Sequence, residues 1–244
     1  MDNIVNSLWI GKKLSPINII SINSFLQNGF KYNLYVYEEV ENIPKGVNIL
    51  DGNDILPDSA IWYYGKGFNK GSPSSFSNEF RYTLLYKNGG LWADTDVVLL
   101  KKLELNDEFI FISEMNNEKQ LVTTSVIYSK ESKQDIFKDC IDVIENIDKN
   151  NIIHGEIGPF LFDYKVREFD LMKYVKPIDE FCSINWYDIY QFFDDSELVD
   201  GVTGLHLWQS RWKPDGFDEY KEYDKNCIYE KLKRRYYKSE FKRL

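Results

Sequence analysis

Cysteine is scarce in this chain: Cys140, Cys182 and Cys227 are its three, odd in number and widely spaced. No CxxC pair or Cys/His cluster joins them, so neither a disulfide framework nor a structural zinc site is expected, and a reducing, cytoplasmic setting fits. Long apolar runs are missing as well. No uncharged stretch approaches the roughly 20 residues that span a bilayer, and "MDNIVNSLWIGKKL" lacks the basic start and apolar centre of a secretory signal. Neither export through this segment nor a membrane span is expected. No Pro/Gly/Ser-rich linker, internal repeat or low-complexity tract divides the chain.

Positive charge is in deficit. The net charge of −9 on 244 residues argues against nucleic acid as a partner, because phosphate backbones reward clustered Lys and Arg. The exception is "EKLKRRYYKSEFKRL", Glu230 to Leu244, where seven basic residues stand against two Glu. Tyr236, Tyr237 and Phe241 lie among these charges. The segment therefore reads either as a solvated helix end or as an interfacial helix against anionic lipid. The domain expectation is one catalytic unit over 1–212, followed by a basic, aromatic helical tail over 213–244.

What is abundant is apolar and aromatic side chain, 43% and 16% of residues, enough for one sizeable core. Asn3 to Ile10 reads as a strand. Ser15-Pro16 opens a helix that runs to about Asn28-Gly29, and Tyr32 to Glu39 alternates as a second strand. Strand, helix, strand is the opening of an α/β sheet. A loop-like region follows, to Ser72-Pro73, where a second helix begins. It carries Phe76, Phe80 and Leu84 on one face and Ser74, Asn78 and Arg81 on another, and it stops at Asn88-Gly89-Gly90. Strands are expected near Glu108 to Ser113, Leu121 to Tyr128, Val175 and Phe181, with helices over about 131–149 and after Gly158-Pro159.

The helix stop leads into "LWADTDVVLL". If the backbone stays extended there, Asp94 and Asp96 project to one side and together hold a hard divalent cation, Mn²⁺ or Mg²⁺. Such a cation offsets charge on a departing nucleotide diphosphate. On the same strand Trp92 either shares the face of Asp94 and packs on a nucleotide, or fills the core.

"FRYTLLYKNGGLWADTDVVLL" resembles the signature of glycosyltransferase family 32. These are D-x-D sugar transferases of capsular and O-antigen polysaccharide synthesis, akin to the catalytic domains of large clostridial glucosylating toxins. "SLWIG" at the start, "IGPF" at Ile157 to Phe160 and "HLWQSRW" near the end extend the resemblance over residues 4 to 212. It implies a GT-A-type α/β fold, a mixed, mainly parallel sheet flanked by helices, and a UDP-sugar donor with a saccharide acceptor; a lipid-linked acceptor is the form that an interfacial tail would serve. It further implies retention at the anomeric carbon, and the basic tail adds the expectation of a peripheral place at the inner membrane face.

Carried over by position, the resemblance makes Asp94, Asp96 and Arg81 catalytic. The donor falls to Leu8, Trp9, Ser77, Asn78, Arg81, Trp92, Asp94, Thr95 and Trp212, and the metal to Asp96, His206 and Asp94. Two departures from the family pattern stand out: Asn78 where an Asp is common, and Arg211 in place of a small Ser. Glu156 and Asp163 are nearby carboxylates for an acceptor. Two other classes compete. A haloacid-dehalogenase-like phosphatase would use "DTDVV" with Asp94 as nucleophile and Asp96 as general acid, and a non-catalytic carbohydrate-binding relative would use the same pocket without turnover.

Overall fold

The computed structural model describes residues 3–67 and 69–237. A six-stranded sheet has the order β3-β2-β1-β4-β7-β6, from β1 (Ile4–Leu8), β2 (Lys31–Val36), β3 (Val47–Asp51), β4 (Gly90–Ala93), β6 (Phe109–Asn116) and β7 (Lys119–Ser129). The pairs β1–β2, β2–β3 and β1–β4 are parallel, while β4–β7 and β6–β7 are antiparallel. A separate antiparallel pair joins β5 (Val97–Leu99) to β8 (Gly204–His206) and sets Val97 opposite His206.

Side chains alternate across the sheet, as a strand's two-residue period requires. Tyr32, Leu34, Leu91, Ala93, Ile110 and Ile112 enter one core; Tyr35, Trp92, Phe109 and Phe111 enter the other. Helix α1 (Pro16–Gln27) covers the first face, and α2 (Ser74–Asn88), α3 (Asp135–Glu145) and α4 (Leu161–Glu168) contribute to the second. Phe76, Phe80 and Leu84 are fully buried, as their spacing predicts. Each stabilises the fold by about 1.5–3 kcal/mol relative to exposure. Helix α2 ends at Gly89, with φ 65° and ψ −155°, a backbone region essentially reserved for glycine. A Cβ there would also stand 2.9 Å from the backbone of Glu131.

The later chain is less regular, with short helices α5 (Gln209–Trp212) and α6 (Ile228–Leu232). The strands expected near Val175 and Phe181 are absent; both residues follow 3₁₀ turns, and Val175 makes an isolated bridge to Phe111. Strand β3 falls inside the region read as loop. Ile228, Tyr229, Leu232 and Tyr236 belong to the same core as α1, with Asn23 Nδ2 donating to the Tyr236 carbonyl at 2.8 Å. The Tyr236 hydroxyl donates to the Leu99 carbonyl at 3.2 Å, so this ring is turned inward rather than toward a lipid surface. Tyr237 packs, partly buried, against the same core, and Phe241, the third ring named in that expectation, lies outside the described residues. Among the described residues no helix is long and apolar enough to cross a membrane.

Candidate active site

The carboxyl ends of β1 and β4 open into a cleft of about 900 Å³, the position where open α/β sheets place ligands. Leu8 and Trp9 line it from the end of β1, Ser77, Asn78 and Arg81 from α2, and Asp94, Thr95 and Asp96 from the turn after β4. His206 and Trp208 close it from the β8 side.

The two aspartates reach the cleft by a route other than strand alternation. Strand β4 stops at Ala93, and the Val97 N–H donates to the Asp94 carbonyl at 3.1 Å, so "DTD" is a turn between β4 and β5. Helix α1 fixes that turn from behind. Asn18 Nδ2 donates to the Thr95 carbonyl at 3.2 Å, and Ser21 Oγ donates to the Val97 carbonyl at 2.6 Å.

Asp94 is tied to Arg81, whose Nη2 lies 3.1 Å from Asp94 Oδ1, and Trp92 Nε1 donates to that same oxygen at 2.9 Å. Arg81 also donates from Nε to the Ser77 carbonyl, from Nη2 to Ser77 Oγ and from Nη1 to the Thr124 carbonyl and Asp94 Oδ2. Four of the five guanidinium N–H groups donate in these hydrogen bonds, and the approach of Nη2 to Asp94 Oδ1 is an ion pair. Arg81 therefore acts here chiefly by position and charge. Burial raises the Asp94 carboxyl above its ordinary pKa despite the opposing charge of Arg81.

Asp96 has different partners. Its Oδ1 lies 3.6 Å from His206 Nε2, and its Oδ2 accepts from the Gln209 N–H at 3.0 Å. Burial alone would raise Asp96, but the charge and hydrogen bond of His206, with the Gln209 N–H, outweigh it and hold the carboxyl low. The same pairing raises His206 against its own burial. The imidazole lies tilted against Trp208 at 3.6 Å between ring centres, and Trp208 adopts a left-handed conformation with φ 56°. His206 Nδ1, Trp9 Nε1 and Ser125 Oγ are buried without a hydrogen-bond partner, although each belongs to a cleft residue. Orphaned polar atoms around one cavity are what a bound polar ligand would satisfy.

Among the described residues no three His, Cys, Asp or Glu side chains are gathered as a metal site. Of the expected set of Asp94, Asp96 and His206, Asp94 is held by Arg81 and Trp92, while Asp96 and His206 stand together. The remaining pair, a carboxylate and an imidazole 3.6 Å apart in the cleft, fits a Mn²⁺-type ion whose other ligands are oxygens of the substrate.

Two donor-binding expectations do not reach the cleft. Trp92 is buried behind Asp94, under Arg81 at 5.1 Å, and supports both from the core. Trp212 is buried against Phe193 and Tyr229, with its Nε1 on the Leu207 carbonyl at 2.5 Å. The acceptor carboxylates are engaged elsewhere: Asp163 accepts from the Val122 N–H and pairs with Arg167, and Glu156 accepts from the Ile153 N–H.

The sequence reading missed the β6–β7 wall. Register runs Phe111↔Ile127 and then jumps to Ser113↔Val122, so Ile112 faces a bulge of Thr123 to Val126. Bulges re-aim side chains and concentrate near active sites. Here Thr123, Thr124 and Ser125 turn into the cleft, while the Thr124 carbonyl takes Arg81 and the Ser125 carbonyl takes the Asp94 N–H at 2.8 Å. Glu114 enters the cleft from β6; a lone carboxylate inside the apolar run "FIFISEM" was the available signal.

Residues 19–117 match the family described as "Glycosyltransferase sugar-binding region containing DXD motif". Over that segment the chain is similar to the sugar-binding region of D-x-D glycosyltransferases. The match spans Ser77, Asn78, Arg81, Asp94, Asp96 and Glu114, and it leaves Trp9, His206 and Trp208 outside. Among solved structures, the ligand-free glycosyltransferase domain from the YGT toxin is similar at 9% identity, over 72% of this chain and 79% of that one, with TM-score 0.50. The PaToxG glycosyltransferase matches at 14% identity, over 96% and 85%, with TM-score 0.48. The apo-form glycosyltransferase GlyE of Streptococcus pneumoniae TIGR4 matches at 14% identity, over 90% and 61%, with TM-score 0.44. The likeness is one of fold, the GT-A type with its mixed, mostly parallel sheet between helices. No curated protein sequence matches the chain.

Proposed function

We propose that this protein is a metal-dependent, retaining hexosyltransferase of glycosyltransferase family 32, moving a hexose from a UDP-sugar to a hydroxyl acceptor. The observation that carries the reading is the convergence of Asp94, Arg81, Asp96 and His206 in one cleft, within reach of Trp9.

Each side chain has a task in this reading. Trp9 presents an indole for the uracil and an Nε1–H that lacks an acceptor. Ser77, Asn78 and Thr95 offer hydroxyl and amide groups to sugar or ribose. Asp94, held by Arg81 and Trp92, presents its carboxylate to sugar hydroxyls in a fixed orientation. The Arg81 charge sits behind it, where it favours negative charge developing in the cleft. Asp96 and His206 would hold Mn²⁺ or Mg²⁺, which when bound neutralises the diphosphate as UDP leaves. The phosphatase alternative loses support from the same contacts, because a nucleophilic Asp94 would have to leave its ion pair.

The acceptor we propose is a lipid-linked chain of a growing capsule or O-antigen polysaccharide, met at the cytoplasmic face of the membrane. Three unpaired, buried cysteines suit a reducing compartment. Exposed Lys231, Arg234 and Arg235 supply charge for anionic headgroups. Binding to anionic vesicles that is lost in Lys231→Glu/Arg234→Glu checks the membrane contact; binding unchanged in that variant removes it.

UDP release measured over a panel of UDP-hexoses and UDP-N-acetylhexosamines, with Mn²⁺ or with chelator, tests the core of the proposal. Metal-dependent release from one donor is the expected result. Silence across the panel, together with no binding of UDP, sinks it.

A further inference from the structure

Three carboxylates line the cleft, and two of them have evident counter-groups: Arg81 for Asp94, and His206 with the Gln209 N–H for Asp96. Glu114 has no such partner. It is 93% buried, the Thr123 hydroxyl is the neighbouring side-chain donor that acts on its carboxylate, and among the described residues no Lys or Arg pairs with it. The charged side chain that acts on it is His206, which lines the same cleft. A buried carboxylate without a cation is costly, so an ordinary core position would not keep one.

Its surroundings are specific. The β6–β7 bulge opens beside it and turns Thr123, Thr124 and Ser125 into the same wall, and Ser125 Oγ has no partner. This wall adjoins α2, where the Thr124 hydroxyl donates to Asn78 Oδ1 at 3.4 Å. It offers hydroxyls and one carboxylate, with no basic or aromatic group among them, which suits a neutral, hydroxylated ligand better than a phosphate or a base.

We propose that Glu114 receives the attacking hydroxyl of the acceptor. Its carboxylate accepts a hydrogen bond from that hydroxyl and orients its oxygen toward the face of the anomeric carbon from which UDP departs, as retention by a single displacement requires. As the new carbon–oxygen bond forms, the bond from the anomeric carbon to the β-phosphate oxygen breaks with its electron pair leaving on UDP, and the hydroxyl proton passes to Glu114. Thr123 is a positioning residue that holds the carboxylate. Burial pushes Glu114 up to about 7, the range in which a carboxylate can accept and then return a proton near neutral pH. The inference rests on the transferase reading above.

The test uses water as the acceptor, so no acceptor need be identified. Binding constants for UDP and for the active UDP-hexose, and the rate of UDP release by hydrolysis, are measured for wild type, Glu114→Gln and Thr123→Val. Expected are binding constants within about twofold of wild type, with hydrolysis about 100-fold slower in Glu114→Gln and several-fold slower in Thr123→Val, in line with the usual contribution of a general base. Unchanged hydrolysis in folded Glu114→Gln overturns the inference alone. So does weakened binding of UDP-hexose with UDP binding intact, which moves Glu114 to the donor sugar. A wild type that neither releases nor binds UDP overturns the transferase reading and this inference with it.

Discussion

Arg81 and Asp94 meet at 3.1 Å across the gap between helix α2 and the turn after β4, and the bulged carbonyl of Thr124 fixes the guanidinium from a third element. The pair is planar group against planar group, and a lysine ammonium cannot reproduce it. Arg81→Lys is expected to lower kcat/KM for donor hydrolysis by about 100-fold, the scale of losing one fixed electrostatic group. Far-UV circular dichroism should stay unchanged. Activity within threefold of wild type would show that charge alone suffices there.

Asp96 and His206 give a prediction about ions. Titration of the protein with Mn²⁺ in the presence of UDP, followed by electron paramagnetic resonance, should show one bound ion in wild type. Asp96→Asn and His206→Gln should each weaken it by tenfold or more, because each removes a protein ligand. Asp94→Asn should weaken it much less, since that carboxylate is turned to Arg81 and Trp92. Equal losses in all three variants would restore Asp94 to the ligand set.

Gly158 packs against the cleft. A Cβ built on it would stand 3.1 Å from both the Oδ1 and Nδ2 atoms of Asn78. Gly158→Ala should therefore displace the Asn78 amide by a few tenths of an ångström and raise KM for the donor several-fold, with kcat and melting temperature nearly constant. If KM does not move, Asn78 does not touch the donor sugar.

Glu114 makes stability depend on pH. Its folded-state pKa of about 7 exceeds the ordinary value of 4.5, so the folded state holds a proton that the unfolded state releases. Stability from this group is present below pH 4.5 and is lost as pH rises toward 7, by about 3 kcal/mol at 1.36 kcal/mol per pKa unit. Glu114→Gln should match wild type near pH 4 and be more stable above pH 7. Denaturant melts at the two pH values decide it; a constant difference across them would mean that Glu114 titrates normally.

Much of the site could be read in advance because its parts sit on strongly patterned elements. Phe76, Phe80 and Leu84 declare the buried face of α2, which leaves Asn78 and Arg81 for the cleft, and Gly89-Gly90 mark where the helix must stop. Strand β3 was missed because it is mostly exposed and carries no alternating pattern of burial. Val175 and Phe181 suggested strands through β-branched and aromatic character, yet isolated residues of that kind are also used to pin turns onto a core. The D-x-D turn defeated the alternation argument: a hydrogen bond from Val97 to Asp94 reverses the chain locally, and tertiary contacts from Asn18 and Ser21 hold it. Glu114 and the Thr123 to Ser125 wall depend on a register shift, which no local pattern announces. Trp92 and Trp212 show the opposite error, since indoles near a site are as useful behind it as in it.

Asp96 and His206 are 110 residues apart in the sequence, and they meet only because β5 pairs with β8. Closing so long a loop is entropically late work. A folding chain can assemble the parallel strands, α1 and α2 while the cleft still lacks one wall. Anything that binds through both residues therefore selects finished molecules, and its arrival can time the last step of assembly.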